Sequence, residues 1–164
     1  MRIEIISGSP RNESLTRRVA LHLKKLLAEK DGITADILDI REWNLPPVQT
    51  TYTSVENTPK EFKAVSERIF KADAFILVTP EYNGSYSPAM KNLLDHYPKQ
   101  HRKSFGIVTA SPGAMGGMRA AQNLLLLVPA FFGIASPYML ITPQVDKKFD
   151  KEGNLLDEAF QKNI

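Results

Sequence analysis

The sequence predicts an α/β fold built on a doubly wound parallel sheet, and three observations lead there. Apolar runs of strand length recur five times along the 164 residues. Segments with apolar residues at helical spacing alternate with them. Ala74 to Val78 is apolar without interruption, the pattern of a central strand covered on both faces. With 43% hydrophobic and 24% charged residues, the chain has the composition of one domain, 1–164, with a full core.

Arg2 to Ser7, rich in isoleucine, is the first strand. Leu15, Val19, Leu23, Leu26 and Leu27 then recur at helical spacing, and Gly32 is placed to stop that helix. Residues 33–40 alternate well enough for a second strand, and strand, helix and strand in this order make a right-handed crossover. Residues 41–58, with Trp43, Pro46, Pro47 and Tyr52, are too long for a simple connection. They read either as a surface loop with Trp43 and Leu45 tucked against the core, or as a lid or oligomer contact.

Thr58-Pro59-Lys60-Glu61 reads as a helix start, with Thr58 as cap, Pro59 at the first helical position and Glu61 closing a capping box. Phe62, Val65 and Ile69 form its buried stripe. After the central strand, Ser87 and Pro88 open a helix that runs to Tyr97, with Met90, Leu93, Leu94 and Tyr97 as its apolar positions. Residues 105–110 are the fourth strand and 120–131 a helix apolar on nearly every face, which buries it deeply or sets it in a subunit interface. Residues 138–142 are the fifth strand, and a charged turn at 146–153 precedes a short amphipathic end with Leu155, Leu156, Ala159 and Phe160. The simplest winding is a three-layer sandwich in the flavodoxin-like order 2-1-3-4-5, in which the loops after strands one, three and four meet at the carboxyl edge of the sheet.

All three of these loops are unusual. In the first, Gly8 permits a sharp turn and close approach of a ligand. Ser9, Ser14 and Thr16 supply hydroxyls, Arg11 a guanidinium, and the helix opening near Ser14 its unpaired amides and positive dipole end, a set that suits one phosphate. An ordinary serine-capped turn is the alternative reading. It is not a mononucleotide P-loop, which needs a second glycine followed by Lys and Ser or Thr, nor a dinucleotide loop, which needs glycine where this chain has Pro10. The second loop, Pro80 to Pro88, is polar and aromatic, and the third, Ser111 to Arg119, carries Gly113, Gly116 and Gly117, which let backbone amides line a cavity. Together they suit a flat heteroaromatic ring on a phosphorylated chain, the shape of flavin mononucleotide (FMN). Tyr82 would cover part of the ring, while Asn83 and backbone amides would meet its polar edge.

Other chemistries are excluded by composition. With no cysteine there is no disulfide, thiolate metal site or cysteine nucleophile, and a reducing cytoplasm fits. His22, His96 and His101 show no metal-binding spacing, so no metal is expected, and His22 and His101 are read as surface residues. A net charge of +3 with both signs interspersed indicates no nucleic-acid partner. No apolar run approaches a signal core or membrane span, so no membrane is expected either.

Gly8-Ser9-Pro10-Arg11-Asn12-Glu13-Ser14, Pro80-Glu81-Tyr82-Asn83-Gly84-Ser85 with Lys91-Asn92-Leu93-Leu94-Asp95, and Gly113-x-x-Gly116-Gly117-x-Arg119 resemble the three signatures of the NADPH-dependent FMN reductase family, which includes quinone, azo-dye and chromate reductases. The resemblance implies that Ser9, Arg11, Ser14 and Thr16 hold the FMN phosphate, that Pro80, Glu81, Tyr82 and Asn83 contact the flavin ring, that Gly113, Gly116 and Gly117 line its other edge, and that Leu15 and Ser111 also belong to the cofactor site. It also implies NADPH, or NADH, as hydride donor, a small-molecule electron acceptor, a ping-pong cycle and a homodimer or homotetramer. Thr16 stands where the family more often has asparagine, Met90 where it has leucine and His96 where it has tryptophan; the last two positions are implied to lie near the subunit contact. The final helix is shorter than in many relatives. No catalytic side chain is assigned, because the flavin carries the chemistry. Glu81 and Asp95 are read as a solvated loop carboxylate and a helix-end carboxylate rather than as proton donors. An FMN electron carrier that does not itself use NADPH, and a flavin-less binding module, are the competing readings.

Overall fold

Successive side chains of a strand point to opposite faces, and in β1 (Arg2–Ser7) this sends Ile5 into one hydrophobic cluster and Ile6 into another. The computed structural model describes residues 1–164. After β1 come α1 (Leu15–Ala28), β2 (Thr34–Asp39), α2 (Lys63–Lys71), β3 (Ala74–Thr79), α3 (Pro88–Asp95), β4 (Ser104–Ser111), α4 (Met118–Ala130), β5 (Ile134–Pro143) and the single-turn α5 (Val145–Lys148). The strands form one parallel sheet in the expected order β2-β1-β3-β4-β5. Ile5 lies opposite Ile37 of β2 on one side and Ile76 of β3 on the other, so the winding reverses between β1 and β3.

On one face, Val65 and Ile69 of α2, Met90 and Leu93 of α3, and Leu124 and Val128 of α4 pack on Ile6, Leu38, Leu77 and Ile107. On the other, Val19 and Ala20 of α1, Val145 of α5, and Phe149 and Phe160 of the C-terminal segment pack on Ile5, Val78, Val108 and Leu140. Cover on both faces is what the unbroken apolar run at 74–78 demands, and within it only Ile76 is left partly exposed. Glu4, the carboxylate within β1, is fully buried and is compensated by Arg68 Nε at 3.1 Å and Arg2 Nε at 3.3 Å.

Several boundaries differ from the sequence reading. Glu29, not Gly32, caps α1; Gly32 takes φ +73° in the turn before β2. Thr58 caps nothing: its hydroxyl donates to the Ser54 carbonyl at 2.8 Å and lies 3.0 Å from Ser66 Oγ, itself 2.9 Å from the Tyr97 hydroxyl. Pro59 is extended, so the chain makes a 3₁₀ turn at Lys60–Phe62 and the helix proper starts at Lys63 without a capping box. The helix α3 ends at Asp95 with His96 as its cap, short of Tyr97. β5 begins at Ile134 rather than 138, because Ser136-Pro137 hides an edge strand that passes an irregularity opposite Phe105 to Ile107. α5 forms within the stretch read as the start of a charged turn, with Val145 buried.

His22 is buried rather than on the surface: its Nδ1 lies 3.1 Å from the Gly153 carbonyl and its ring 5.1 Å from that of Phe149. The 41–58 segment is the tucked loop. Trp43 and Leu45 pack on the core, Tyr52 is buried with its amide donating to the His96 carbonyl at 2.7 Å, and Asn92 Nδ2 donates to the Pro46 carbonyl at 3.0 Å. Met90 and His96, implied to lie near a subunit contact, are both interior to this chain. α4 is buried on one side through Ala120, Ala121, Leu124 and Val128, whereas Leu126 on the opposite side is 76% exposed.

Candidate active site

Parallel strands deliver their following loops to one edge of the sheet, and the reversal between β1 and β3 opens a crevice there. The β1–α1 and β3–α3 loops flank that crevice and are tied together beneath it. The Gly8 amide donates to the Val78 carbonyl at 2.8 Å, and Ser87 Oγ donates to the Gly8 carbonyl. Packing by itself asks for glycine at position 8: a Cβ there would fall 2.3 Å from Met90 Cε and 3.0 Å from the Val78 carbonyl oxygen.

Ser9 in the first loop and Thr16 in the first turn of α1 are buried, and Arg11 is exposed. Ser14 is the N-cap of α1, its Oγ accepting from the Arg17 amide at 3.1 Å. The amides of Asn12, Glu13, Ser14, Leu15 and Thr16 find no acceptor in the chain. A row of unpaired amides at the start of a helix is a ready anion site, to which the hydroxyls of Ser9 and Ser14 and the Arg11 guanidinium add donors.

In the second loop Asn83 and Gly84 both take positive φ, 50° and 83°, and Tyr82 and Ser85 exchange two backbone hydrogen bonds at 2.8 and 3.1 Å across them. Asn-Gly is a hairpin-turn signal at the level of sequence, and it forms that two-residue turn here. It projects Tyr82 beside Arg11, whose guanidinium carbon lies 5.1 Å from the ring centroid. Between the two loops lies a cavity of about 640 Å³ lined by Arg11, Glu81, Tyr82, Asn83, Ser85, Tyr86, Pro88 and Lys91. Its size is that of a cofactor cleft. Of the lining residues, Ser85, Tyr86, Pro88 and Lys91 were not singled out as site residues; Pro88 and Lys91 lie on the first turn of α3, which only the folded chain swings against the loop.

Glu81 has a role that its sequence position did not disclose. Its carboxylate accepts from the Arg119 amide at 3.1 Å and the Ala120 amide at 3.4 Å, completing the N-terminus of α4, and Arg119 Nη1 lies 3.9 Å away. Its side chain is only 18% exposed, so it is a capping carboxylate rather than a solvated one. Asn123 Nδ2, donating to the Gly84 carbonyl at 3.0 Å, makes a second tie between the second loop and α4. Asp95 pairs with Lys91 one turn earlier on α3.

The third loop closes the carboxyl edge. Ser111 Oγ accepts from the Gly113 amide at 3.1 Å. Gly116 and Gly117 are buried with φ of +63° and +90° and press on β5 and β4: a Cβ would lie 2.7 Å from Ile141 Cγ2 at the first and 2.9 Å from Thr109 Cβ at the second. Only Gly113 is exposed, so two of the three glycines serve loop packing rather than an unobstructed cavity wall. Pro80, at the end of β3, accepts from Thr79 Oγ1 at 2.9 Å. Of the sequence-predicted residues, the structure brings Arg11 of the first set and Glu81, Tyr82 and Asn83 of the second to this cavity, places Ser14 in a separate polar hollow with Asn12, Glu13 and Arg41, and ties the third loop to the second through Glu81.

A family profile for NADPH-dependent FMN reductases matches residues 1–142. The chain belongs to that family. It is 32% identical over 163 residues to the FMN-dependent NADPH-azoreductase of Staphylococcus aureus, covering 96% of this chain and 86% of that one. Its fold is shared by FerB, a flavoenzyme NAD(P)H:(acceptor) oxidoreductase from Paracoccus denitrificans, at TM-score 0.75 and 24% identity over 98% of this chain and 89% of the other. The fold is also shared by the NADH:FMN oxidoreductase EmoB, at TM-score 0.69 and 20% identity over 99% and 84%. As a family member the chain is an oxidoreductase with FMN and NAD(P)H as its cofactors. No helix is long and apolar enough to cross a membrane.

Proposed function

We propose that this protein transfers reducing equivalents from NAD(P)H to a small acceptor of the quinone, azo, nitro, metal-oxyanion or free-flavin kind, with 1–164 acting as one FMN-binding domain. The observation that carries the reading is one β1–α1 junction that both holds five acceptorless amides, Asn12 to Thr16, and sends Arg11 into the open cavity beside Tyr82. The residues fit FMN: Ser9, Arg11, Ser14 and Thr16 would hold its phosphate, Pro80 to Asn83 its ring, and Gly113, Gly116 and Gly117 the further edge, the last two through the backbone, with Leu15 and Ser111 completing the site. FMN, when bound, supplies the two-electron relay between donor and acceptor.

The protein's own groups bind and orient. Arg11 and Lys91 place positive charge at the cavity, where the phosphates of a dinucleotide enter, and the capped Glu81 keeps the second loop fixed against α4. One cavity wall cannot stack donor and acceptor together, so they use it in turn, and the kinetics are ping-pong. The exposed apolar side of α4, around Leu126, is where we place a homodimer or homotetramer contact. The absence of cysteine fits a cytoplasmic setting.

An absorbance spectrum of the purified protein, before and after addition of FMN and gel filtration, followed by anaerobic NADPH, tests the reading. Retained flavin bands that bleach with NADPH, and parallel-line kinetics with a quinone and an azo dye, are the expected result. Bands that persist with NADPH would make the protein an electron carrier, and failure to retain flavin would leave it a binding module. Analytical ultracentrifugation of Leu126→Lys checks the α4 contact, which predicts a lighter species than the unaltered protein.

A further inference from the structure

Arg41 follows β2 and belongs to no signature that identifies the family, yet its guanidinium reaches the centre of the first loop. Its Nη1 donates to the Asn12 carbonyl at 2.9 Å and lies 3.5 Å from the Arg11 carbonyl. The remainder of the fork is spent on Asp39, the last residue of β2: Arg41 Nε donates to Oδ1 at 2.9 Å and Nη2 to Oδ2, while Arg17 of α1 donates to Oδ2 at 3.2 Å through its Nε. Asp39 is 2% exposed. Burial alone would push its carboxyl above the usual range, but the hydrogen bonds from Arg41 and the nearby Arg17 charge hold it below. The Arg41 guanidinium is therefore clamped, not swinging in solvent.

Resting on the FMN reading above, we infer that Arg41, oriented by Asp39, is a positioning residue that sets the phosphate selectivity of the site by turning two loop peptides. In a trans peptide the carbonyl of one residue and the amide of the next point in opposite directions, and this chain has no cis peptide. Drawing the Arg11 and Asn12 carbonyls toward Arg41 aims the amides of Asn12 and Glu13 the other way. These are two of the five amides that find no acceptor. Without the clamp the same peptides are free to rotate, and a carbonyl oxygen facing a phosphate repels it. Lysine retains the charge but has no planar fork to span Asp39 and two carbonyls at once, so it does not substitute.

The test compares dissociation constants for FMN and riboflavin, which share the ring and differ by the phosphate, in the unaltered protein, Arg41→Met, Arg41→Lys and Asp39→Asn. Fluorescence titration of the full chain reads both ligands. The expected result is FMN binding weakened roughly tenfold in Arg41→Met and Arg41→Lys, the loss expected for hydrogen bonds to a charged group, with riboflavin binding unchanged. Asp39→Asn should lose FMN affinity in the same selective way. Equal weakening of both flavins would mean a general packing role and overturn the inference, as would restoration of FMN affinity by Arg41→Lys, which would mean that charge alone acts. Unchanged FMN affinity in all three variants overturns it as well. Should Arg41→Met fail to fold, Arg41→Lys and Asp39→Asn decide the matter. Failure of the unaltered protein to bind FMN is the separate result that removes the underlying reading.

Discussion

Replacing Glu81 by alanine should destabilise the protein without imposing a new pH dependence on turnover. The carboxylate accepts two amides of α4, at 3.1 and 3.4 Å, and the side chain is largely sheltered. One good and one long hydrogen bond at a helix N-terminus, with the favourable dipole contact, are together worth about 1–2 kcal/mol. For a chain of this length each kcal/mol moves the melting temperature by about 3 °C, so Glu81→Ala should melt about 3–6 °C lower. Glu81→Gln keeps an acceptor and should lose about half as much. The same cap fixes the second loop, so FMN should also dissociate faster from Glu81→Ala. Differential scanning calorimetry and stopped-flow flavin release read the two effects. An unchanged melting temperature would refute the capping geometry. Collapse of turnover in Glu81→Gln, with a shifted pH profile and normal stability, would refute the assignment of Glu81 as structural and make it a proton donor.

Two further outcomes follow from residues outside the cavity. Gly117→Ala forces a side chain into φ +90° with its Cβ 2.9 Å from Thr109 Cβ, and should cost about 2–3 kcal/mol, read as a lower urea midpoint with an unchanged slope. His22 has its proton affinity lowered by burial, more than the Gly153 carbonyl raises it, and its Nε2 has no partner. Above the usual histidine value of about 6.5 it is neutral whether folded or unfolded; below it the unfolded chain takes up the proton first, so stability falls as pH falls. A His22→Gln variant should show a shallower loss of stability between about pH 7 and 5 in denaturant titrations, and an identical slope would show that the ring titrates freely.

Sequence alone determined the sheet and its winding. Period-two and period-3.6 apolar patterns are local, and five strands alternating with helices leave few right-handed ways to be wound. It also determined the content of the loops after β1, β3 and β4, because glycine, proline and serine caps act on their own backbone. Ser14 and Ser87 cap the helices they precede, as read. Thr58 did not, because its hydroxyl is taken by the Ser54 carbonyl in the turn before it and by Ser66, whose nearness depends on how α2 packs. Only the tertiary structure decided what long-range partners decide: that Glu81 caps a helix 38 residues away, that Gly8 gives way to Met90, and that His22 is buried beneath the C-terminal segment. The reach of Arg41 back to a loop 29 residues earlier is of the same kind. Partners of a charged or small side chain leave no periodic trace along the chain, since they are set by which strands become neighbours and not by spacing.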